Sequence, residues 1–232
     1  MRKRLAIVTG SSGSIGRAIC LELLQVGYRC VGVDLRDSDN QGWEFRACDL
    51  AIVAQIESEF AALCAMFGAP DVLINCAGLA RHRNFFEVTA TDFDATFAVN
   101  ARGVFFASQI VARQMMAANH PGVIINIESV GGFISTNDPA YGMSKAAVSL
   151  LTKAMARQLA SARIRVNGVA PGLVHTPMSD GIPADVHARY LGNVPLGRMA
   201  EPAEIAKVVS FLAGDSASYV TGTTVHVNGG MY

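Results

Sequence analysis

The sequence carries little charge and no excess of either sign. Of its 232 residues 16% are charged, and 19 basic side chains are balanced by 19 acidic ones. A protein that binds nucleic acid through the phosphate backbone needs clustered Lys and Arg, and the sequence has no long basic run. It therefore predicts no nucleic-acid partner.

Long apolar runs are also missing, although hydrophobic residues make up 51% of the chain. No stretch approaches the roughly 20 apolar residues that cross a bilayer. The basic start at residues 1–4 precedes an apolar run that ends at Gly10, which is too short for a signal peptide. We expect no membrane partner, and a chain of this length fits one α/β domain with a full core.

Cysteines are few, odd in number and not spaced as metal ligands. They fall within predicted helices and strands, at Cys20, Cys30, Cys48, Cys64 and Cys76. The five histidines are scattered as well, so neither residue type forms a metal-binding pattern. Reduced core cysteines are typical of cytosolic proteins. The sequence therefore predicts a cytoplasmic protein without a metal site.

The first pattern with chemical meaning is a buried strand that leads through a glycine-rich turn into a helix. Residues 5–8 are continuously apolar, residues 10–16 contain three glycines, and an apolar helical pattern follows as far as Leu24. Such a turn lets the backbone approach a pyrophosphate, and the helix N-terminus offers free N–H groups. Taken alone, the pattern is equally consistent with an ordinary turn.

An acidic residue ends the second predicted strand, residues 30–33. Asp34 lies 18 residues after Gly16, where a dinucleotide site places the acid that accepts from the adenosine ribose 2′-hydroxyl. Its carboxylate would repel a 2′-phosphate, which favours NAD over NADP, although the nearby Arg17 and Arg36 weaken that preference. The alternative interpretation is an acidic turn residue.

The rest of the chain alternates predicted strands and helices. Further strands are predicted at 44–48, 71–74, 122–127, 164–169 and 223–227, and helices at 52–66, 91–116, 141–160 and 201–213. This alternation predicts an α/β fold with a Rossmann-type, doubly wound parallel sheet of about seven strands, whose ligand crevice follows the C-terminal strand ends. We predict a single domain over residues 1–232, with an irregular connection at about 174–195 that serves as a substrate lid.

Tyr141 and Lys145 stand at the start of the helical pattern that follows the fifth strand. Residues four positions apart share one face of a helix, so the ammonium is expected near the phenol. A nearby cation favours the phenolate and lowers the tyrosine pKa from about 10, which would make Tyr141 a general acid/base. The alternative for so common a pattern is a packed tyrosine beside a solvated lysine.

Several short motifs, taken in order, resemble those of the short-chain dehydrogenase/reductase family. They are the turn at 9–16, Asn75-Cys76-Ala77-Gly78, Asn100, Ser129, Tyr141 with Lys145, Pro171-Gly172 with Thr176, and the ending Asn228-Gly229-Gly230. The likeness covers essentially the whole chain. Three details depart from the family pattern: the middle glycine of the turn is displaced to Gly13, Ser129 lies one residue nearer the tyrosine than in many members, and Glu128 replaces a residue that is often small.

The resemblance implies an enzyme that interconverts a secondary alcohol and a ketone by hydride transfer. Tyr141 would exchange the substrate proton, and Lys145 would lower its pKa and hold the nicotinamide ribose. Ser129 would bind the substrate oxygen, and Asn100 would help to anchor a water relay. The implied NAD-binding residues are Gly10, Ser12, Ser14, Ile15, Gly16, Asp34, Leu35, Asp49, Leu50, Asn75, Ala77, Gly78, Tyr141, Lys145, Pro171, Gly172, Val174 and Thr176. It also implies a homotetramer paired through helices such as that of Tyr141.

The substrate is predicted from the loop after the fourth strand and from the lid. Arginine binds carboxylates bidentately, so Arg81 and Arg83 could hold an acidic substrate, unless they simply face solvent. We expect a small polar hydroxy compound, such as a sugar derivative or a hydroxy acid, contacted by Arg81, Arg83, Ser129 and Met178. The alternatives are a 3-ketoacyl-thioester or general ketone reductase that uses NADPH, and a catalytically silent nucleotide-binding scaffold.

Overall fold

The apolar segments form one parallel sheet in the computed structural model, which describes residues 3–37 and 42–232. Its strands are β1 (Leu5–Thr9), β2 (Arg29–Asp34), β3 (Glu44–Ala47), β4 (Val72–Asn75), β5 (Gly122–Ile127), β6 (Ile164–Pro171) and β7 (Thr224–Val227). The spatial order is β3-β2-β1-β4-β5-β6-β7. The order reverses between β1 and β4, which confirms the predicted α/β doubly wound fold and places the crevice beside those two strands. Met1 and Arg2 of the basic start lie outside the described residues.

Helices cover both faces of the sheet. They are α1 (Ser14–Gln25), α2 (Val53–Phe67), α3 (Ala90–Phe97), α4 (Val104–Ala117), α5 (Pro139–Leu159), α6 (Pro177–Asp180), α7 (Ala184–Gly192) and α8 (Pro202–Ala213). The single helix predicted at 91–116 is instead α3 and α4, joined by a π-helical turn at Ala98–Gly103. Such turns often occur at functional sites, and this one contains Asn100. Other predicted segments differ only at their ends.

The segment at about 174–195 is more ordered than predicted. It contains α6 and α7, so the prediction of an irregular connection was wrong. Its prolines and glycines lie at helix ends: Pro177 is in the first turn of α6, Gly181 is its C-cap, and Pro183 is the N-cap of α7. Its role as a substrate lid stays a prediction.

The core lies on both sides of the sheet. In β1, Ala6 and Val8 belong to the cluster that packs α1 and α8, whereas Leu5 and Ile7 face the cluster that packs α2 and α4. The strand is therefore buried on both faces, as its continuous apolar sequence predicted. A scaffold packed in this way holds the loops at the strand ends in fixed relative positions.

The five cysteines are free thiols, and four of them are buried. Burial raises the pKa of the Cys30 thiol to about 12, which keeps it protonated and unreactive. Within residues 3–37 and 42–232, no cluster of three His, Cys, Asp or Glu side chains is placed to hold a metal ion. No helix in the same ranges is both long and apolar enough to span a membrane.

Candidate active site

A cleft of about 700 Å³ follows the C-terminal ends of the strands. Its lining includes the predicted residues Gly10, Ser12, Ser14, Ile15, Gly16, Asp34, Leu35, Asp49, Leu50, Ala77, Gly78, Arg81, Ser129, Tyr141, Lys145, Pro171, Gly172, Val174, Thr176 and Met178. Three predicted site residues lie outside this lining: Asn75, Asn100 and Arg83. The fold thus brings most of the predicted residues to one surface.

The glycine-rich turn sits directly against the end of β4. A Cβ atom on Gly10, whose φ is +68°, would lie 2.7 Å from the backbone nitrogen of Ala77, and one on Gly16 would lie 2.1 Å from the Gly10 carbonyl oxygen. Thr9 Oγ1 accepts hydrogen bonds from the backbone N–H groups of Cys76 and Ala77. A side chain is therefore excluded at Gly10 and at Gly16, which leaves open backbone at the start of α1. This cradle fits a pyrophosphate.

Asp34 lies beside the same turn. Its Oδ2 accepts from the backbone N–H of Ser12 at 3.0 Å, and its Oδ1 accepts from that of Leu35 at 2.7 Å. The side chain of Ser12 in turn donates to the Arg36 carbonyl at 2.5 Å. These bonds fix the carboxylate at the edge of the cleft, next to the cradle, where it can accept from a ribose hydroxyl.

Tyr141 and Lys145 share one face of α5, as their spacing predicted. Lys145 Nζ lies 5.8 Å from the centroid of the Tyr141 ring and donates to the Ile127 carbonyl at 2.7 Å. Burial lowers the pKa of Lys145 to about 8, and the charges of Cys76 and Glu128 oppose that shift. The ammonium is thus held at the floor of the cleft near its titration point.

The pKa of the Tyr141 phenol is raised, whereas the Lys145 ammonium alone would lower it. Burial raises its pKa, the charges of Asp138 and Cys76 act in the same sense, and a hydrogen bond with Ser129 opposes them. The Lys145 ammonium points to a backbone carbonyl rather than to the phenol oxygen. The protein's own groups therefore favour the protonated phenol.

Asn100 holds a loop at the edge of the cleft. Its Oδ1 accepts from the Leu79 N–H at 2.7 Å, and its Nδ2 donates to the Leu79 carbonyl and to Ser144 Oγ. Ser144 Oγ donates to the Tyr141 carbonyl at 2.7 Å. The fully buried amide thereby links the π-helical turn, the loop after β4 and α5. Its implied part in a water relay stays a prediction.

Asn75 directs its side chain into the protein rather than into the cleft. Its Nδ2 donates to Ser108 Oγ and to Asn126 Oδ1, at 2.9 and 2.8 Å. A buried amide needs such partners. The structure therefore gives the Asn75 side chain a role between β4, β5 and α4, and only the following residues of the motif face the cleft.

The two arginines predicted to hold the substrate do not form a clamp. Arg83 is exposed and outside the cleft lining, and Arg81 Nε lies 3.6 Å from an oxygen of Asp92. The cleft is also lined by apolar or aromatic side chains, namely Val130, Ile134, Met178, Ile182, Val186, Tyr190 and Met231. The predicted contact of Arg83 therefore lacks support in the structure, whereas that of Arg81, which lines the cleft, stays a prediction.

Comparison with known proteins identifies the family to which the chain belongs. A family model described as Enoyl-(Acyl carrier protein) reductase matches residues 10–232. The chain is 38% identical to the 3-oxoacyl-[acyl-carrier-protein] reductase FabG of Escherichia coli (strain K12), with 99% of this chain and 97% of that protein covered. It is 33% identical to the (3R)-3-hydroxyacyl-CoA dehydrogenase of Canis lupus familiaris, with 100% and 97% covered. The chain belongs to the short-chain dehydrogenase/reductase family.

A solved structure of the same fold is that of the Thermoplasma acidophilum aldohexose dehydrogenase in ligand-free form. It superposes with a TM-score of 0.90 at 29% identity, covering 99% of this chain and 94% of that one. Membership of the short-chain dehydrogenase/reductase family makes the chain an oxidoreductase of CH–OH groups that uses an NAD(P) nucleotide. The cradle and Asp34 fit that nucleotide.

Glu128, one of the three departures from the family pattern, has a structural role that the sequence did not indicate. Its carboxylate is only 2% exposed, and its two oxygens accept from Thr152 Oγ1 at 2.8 Å and Thr224 Oγ1 at 3.0 Å. Gly168 leaves the necessary space, since a Cβ there would lie 2.1 Å from Glu128 Oε1. Burial raises the pKa of Glu128, while the two threonines and Lys145 lower it. No sequence signal near Glu128 indicated these distant partners.

Asp138 was also missed as a structural residue. It is the N-cap of α5 and precedes Pro139, and this combination of an Asp cap with a proline in the first turn is a helix-start signal that the sequence contains. Recognising it would have placed the start of α5 before Tyr141.

Glu128→Gln should lower the pKa of Lys145 below about 8, because the variant keeps the size of the side chain but removes a charge that favours the ammonium. We expect the alkaline loss of NADH affinity to begin at a lower pH than in the wild type. Fluorescence titration of NADH across neutral and alkaline pH measures this shift. Thr224→Val is a graded comparison: it removes one hydrogen bond to Glu128 and so raises the pKa of that carboxyl, which should shift the profile in the same direction but by less. Equal profiles for all three proteins would contradict the assignment.

Proposed function

We propose that this protein is an NAD-dependent oxidoreductase that interconverts a secondary alcohol and a ketone, with Ser129, Tyr141 and Lys145 as its catalytic residues. The observation that carries the proposal is the convergence of these three side chains on the cleft that the glycine cradle and Asp34 also line. A substrate carbonyl in the cleft would meet two hydroxyl groups on one side. Hydroxyl donors of this kind suit an oxygen that gains or loses a proton during reaction.

Each of these side chains has a separate task. When bound, the nicotinamide nucleotide supplies or takes the hydride, and the positive charge of its oxidised form favours ionisation of a neighbouring phenol. Tyr141 Oη gives the proton to the substrate oxygen in reduction and takes it in oxidation. Ser129 Oγ donates a hydrogen bond to the same oxygen and fixes its position. Lys145 Nζ, at the floor of the cleft, is placed to bind a ribose hydroxyl, and Asn100 orients the loop that bounds the site.

Two substrate classes fit different observations. A small polar hydroxy compound, such as a sugar derivative or a hydroxy acid, is supported by the similarity to a structure titled aldohexose dehydrogenase. A 3-oxoacyl thioester is supported by the E. coli and dog relatives. The apolar side chains that bound the substrate end, among them Ile134, Met178 and Ile182, favour the second class because they can cover an aliphatic chain. A screen of polyols, aldoses, hydroxy acids and 3-oxoacyl thioesters, each with NADH and NADPH, separates the two.

Tyr141→Phe should lower kcat by about 10²–10⁴, because it removes the group that exchanges the substrate proton. Nucleotide affinity should stay within a few-fold, since the ring and its packing remain. Steady-state kinetics with a substrate from the screen, beside fluorescence titration of NADH, tests both expectations. The rate of alcohol oxidation by the wild type should rise with pH, because phenolate is the form that accepts the proton.

Ser135→Ala is a matched control for this experiment. Ser135 also lines the cleft and also carries a hydroxyl group, but it has no assigned part in the reaction. It should change kcat far less than Tyr141→Phe. If Tyr141→Phe keeps more than about a tenth of wild-type turnover, the assignment of Tyr141 as the acid/base is wrong.

Asp34→Ala should narrow the preference for NAD over NADP. The carboxylate at the edge of the cradle accepts from a ribose 2′-hydroxyl and repels a 2′-phosphate, so removing it weakens NADH binding and strengthens NADPH binding. Calorimetric titration of both nucleotides into both proteins measures the change. Equal affinity of the wild-type protein for NADH and NADPH would refute the proposed NAD preference.

We also propose that the protein is a homotetramer in the cytoplasm. Helix α5 exposes apolar side chains on the side away from the sheet, with Leu150 70% and Met143 55% exposed, and α4 exposes Phe105. Such a face suits pairing with a second copy. The cytoplasmic location rests on the cysteine use and stays a prediction.

Leu150→Glu should dissociate the assembly, because it places a charge within the proposed helix pair. Light scattering of the wild type at micromolar concentration should give a mass of about four chains. The variant should give a smaller mass, whereas Val26→Glu, at the exposed end of α1, should leave it unchanged. A wild-type monomer would contradict the proposal.

A further inference from the structure

Asp138 joins two separate segments at the catalytic helix. Its Oδ1 accepts from the backbone N–H of Tyr141 at 3.1 Å and so caps α5. Its Oδ2 accepts from the backbone N–H groups of His82 at 2.8 Å and Arg81 at 3.1 Å, which lie more than 50 residues away in the sequence. The residue is 6% exposed. One carboxylate therefore satisfies three backbone donors, and only one of these belongs to its own helix.

Capping alone does not explain an aspartate at this position. Serine or threonine caps a helix about as well, because one oxygen suffices to accept from the first turn. Thr89 shows this in the same protein, since it caps α3 through a bond from the Asp92 N–H to its hydroxyl. The second oxygen of Asp138 instead binds the loop at 79–82, which a hydroxyl side chain is too short to reach at the same time.

The loop at 79–82 forms one wall of the cleft and is held at both ends. Asn100 binds both backbone groups of Leu79 at one end, and Asp138 binds Arg81 and His82 at the other. His82 has a φ of +54°, a conformation that is unfavourable for a residue other than glycine. The bond from its N–H to Asp138 offsets that cost and keeps the loop in this shape.

The same loop reaches the segment that carries α6 and α7. A Cβ atom on Gly181 would lie 3.0 Å from His82 Cδ2, so the imidazole packs directly on the backbone at the end of α6. The neighbour of Asp138 makes a further link, since the Asn137 N–H donates to the Tyr190 hydroxyl of α7 at 2.7 Å. Residues 137–138 therefore connect α5, the loop after β4 and the α6–α7 segment.

Asp138 also acts on Tyr141 through its charge. It raises the pKa of the Tyr141 phenol, and Cys76, from the end of β4, acts in the same sense. Ser129, from the end of β5, opposes them through its hydrogen bond, and the Lys145 ammonium lies over the ring one helical turn further along α5. Among these neighbours, Asp138 carries the negative charge that a neutral substitution can remove without altering a predicted catalytic group.

We propose that Asp138 is a positioning residue that fixes the substrate-facing loop at 79–82 to the first turn of the catalytic helix, and so sets the substrate mouth relative to the Tyr141 hydroxyl. The inference rests on the proposed function for its kinetic consequence. The tether itself is a property of the protein without turnover. Loss of the tether should loosen the cleft wall while leaving the nucleotide cradle at the end of β1 unchanged, because Gly10 and Thr9 hold that cradle against Ala77 independently of Asp138.

Asp138→Ser separates the tether from the cap. Its hydroxyl can still accept from the Tyr141 N–H, but it cannot also reach Arg81 and His82. Hydrogen exchange followed by mass spectrometry should show at least about tenfold faster exchange for amides at 79–83, as expected when hydrogen bonds to a charged acceptor are lost. Exchange in the first turn of α5 should stay near the wild-type rate. Thr89→Ala, which removes a cap without a tether, should leave exchange at 79–83 unchanged.

Two further measurements separate positioning from a general structural role. Ultraviolet titration of the phenols, with Tyr141→Phe subtracted, should show a lower pKa for Tyr141 in Asp138→Ser, because a negative charge near the phenol is gone. In kinetics, the variant should raise KM for the alcohol or ketone several-fold more than it raises the Kd of NADH. Asp138→Asn keeps the shape of the side chain but only one acceptor oxygen. It should therefore raise exchange at 79–83 to a smaller extent and lower the pKa of Tyr141 as Asp138→Ser does, and it serves if the serine variant does not fold.

The outcomes decide the proposal independently of the enzymatic activity. Wild-type exchange at 79–83 together with an unchanged Tyr141 titration in Asp138→Ser, or in Asp138→Asn if the serine variant does not fold, would overturn it. If the wild-type protein turns over no alcohol or ketone, the proposed function fails, but the exchange and titration experiments still test the tether. If the wild type is active and exchange at 79–83 rises without any change in KM, the loop is tethered but does not position the substrate, and the proposal is overturned on that ground.

Discussion

The site depends on one close contact between two backbones, that of Gly10 with the end of β4 at Ala77. A side chain on Gly10 would come within 2.7 Å of the Ala77 nitrogen, so this contact exists only because the turn has glycine there. It closes the crevice floor where the strand order reverses, and the Thr9 hydroxyl supports it with two hydrogen bonds. The nucleotide cradle and the first residues of the substrate wall are therefore parts of a single packed unit.

The surroundings of Tyr141 raise the pKa of its phenol. Burial lowers the pKa of Lys145 to about 8, and its Nζ is bonded to a carbonyl rather than to the phenol. Asp138 and burial both raise the pKa of the phenol. A proton donor in ketone reduction benefits from this arrangement, because the phenol stays protonated until another positive charge enters the cleft.

The fold and the cleft could be predicted from sequence because they depend on backbone patterns. Strands buried on both faces read as continuous apolar runs, and parallel strands deliver their C-terminal loops to one edge. Side-chain directions depend on distant partners and could not be predicted. Arg81 turns to Asp92, and the Asn75 amide turns to Ser108 and Asn126. The α6–α7 segment was wrongly predicted to be irregular, because proline and glycine are common at helix ends as well as in irregular loops.

The proposed catalytic residues and the segments proposed to contact the substrate lie on different parts of the fold. Tyr141 and Lys145 stand on α5, and Ser129 lies just beyond the end of β5. Both elements contain buried core residues, which fix their positions. On the proposed function, the loop after β4 and the α6–α7 segment bound the substrate. Hydrogen bonds at residues 137–138 join both to α5, and Asn100 makes a further link between the loop and α5. Sequence changes in these two segments are then expected to alter which alcohol or ketone fits without moving α5.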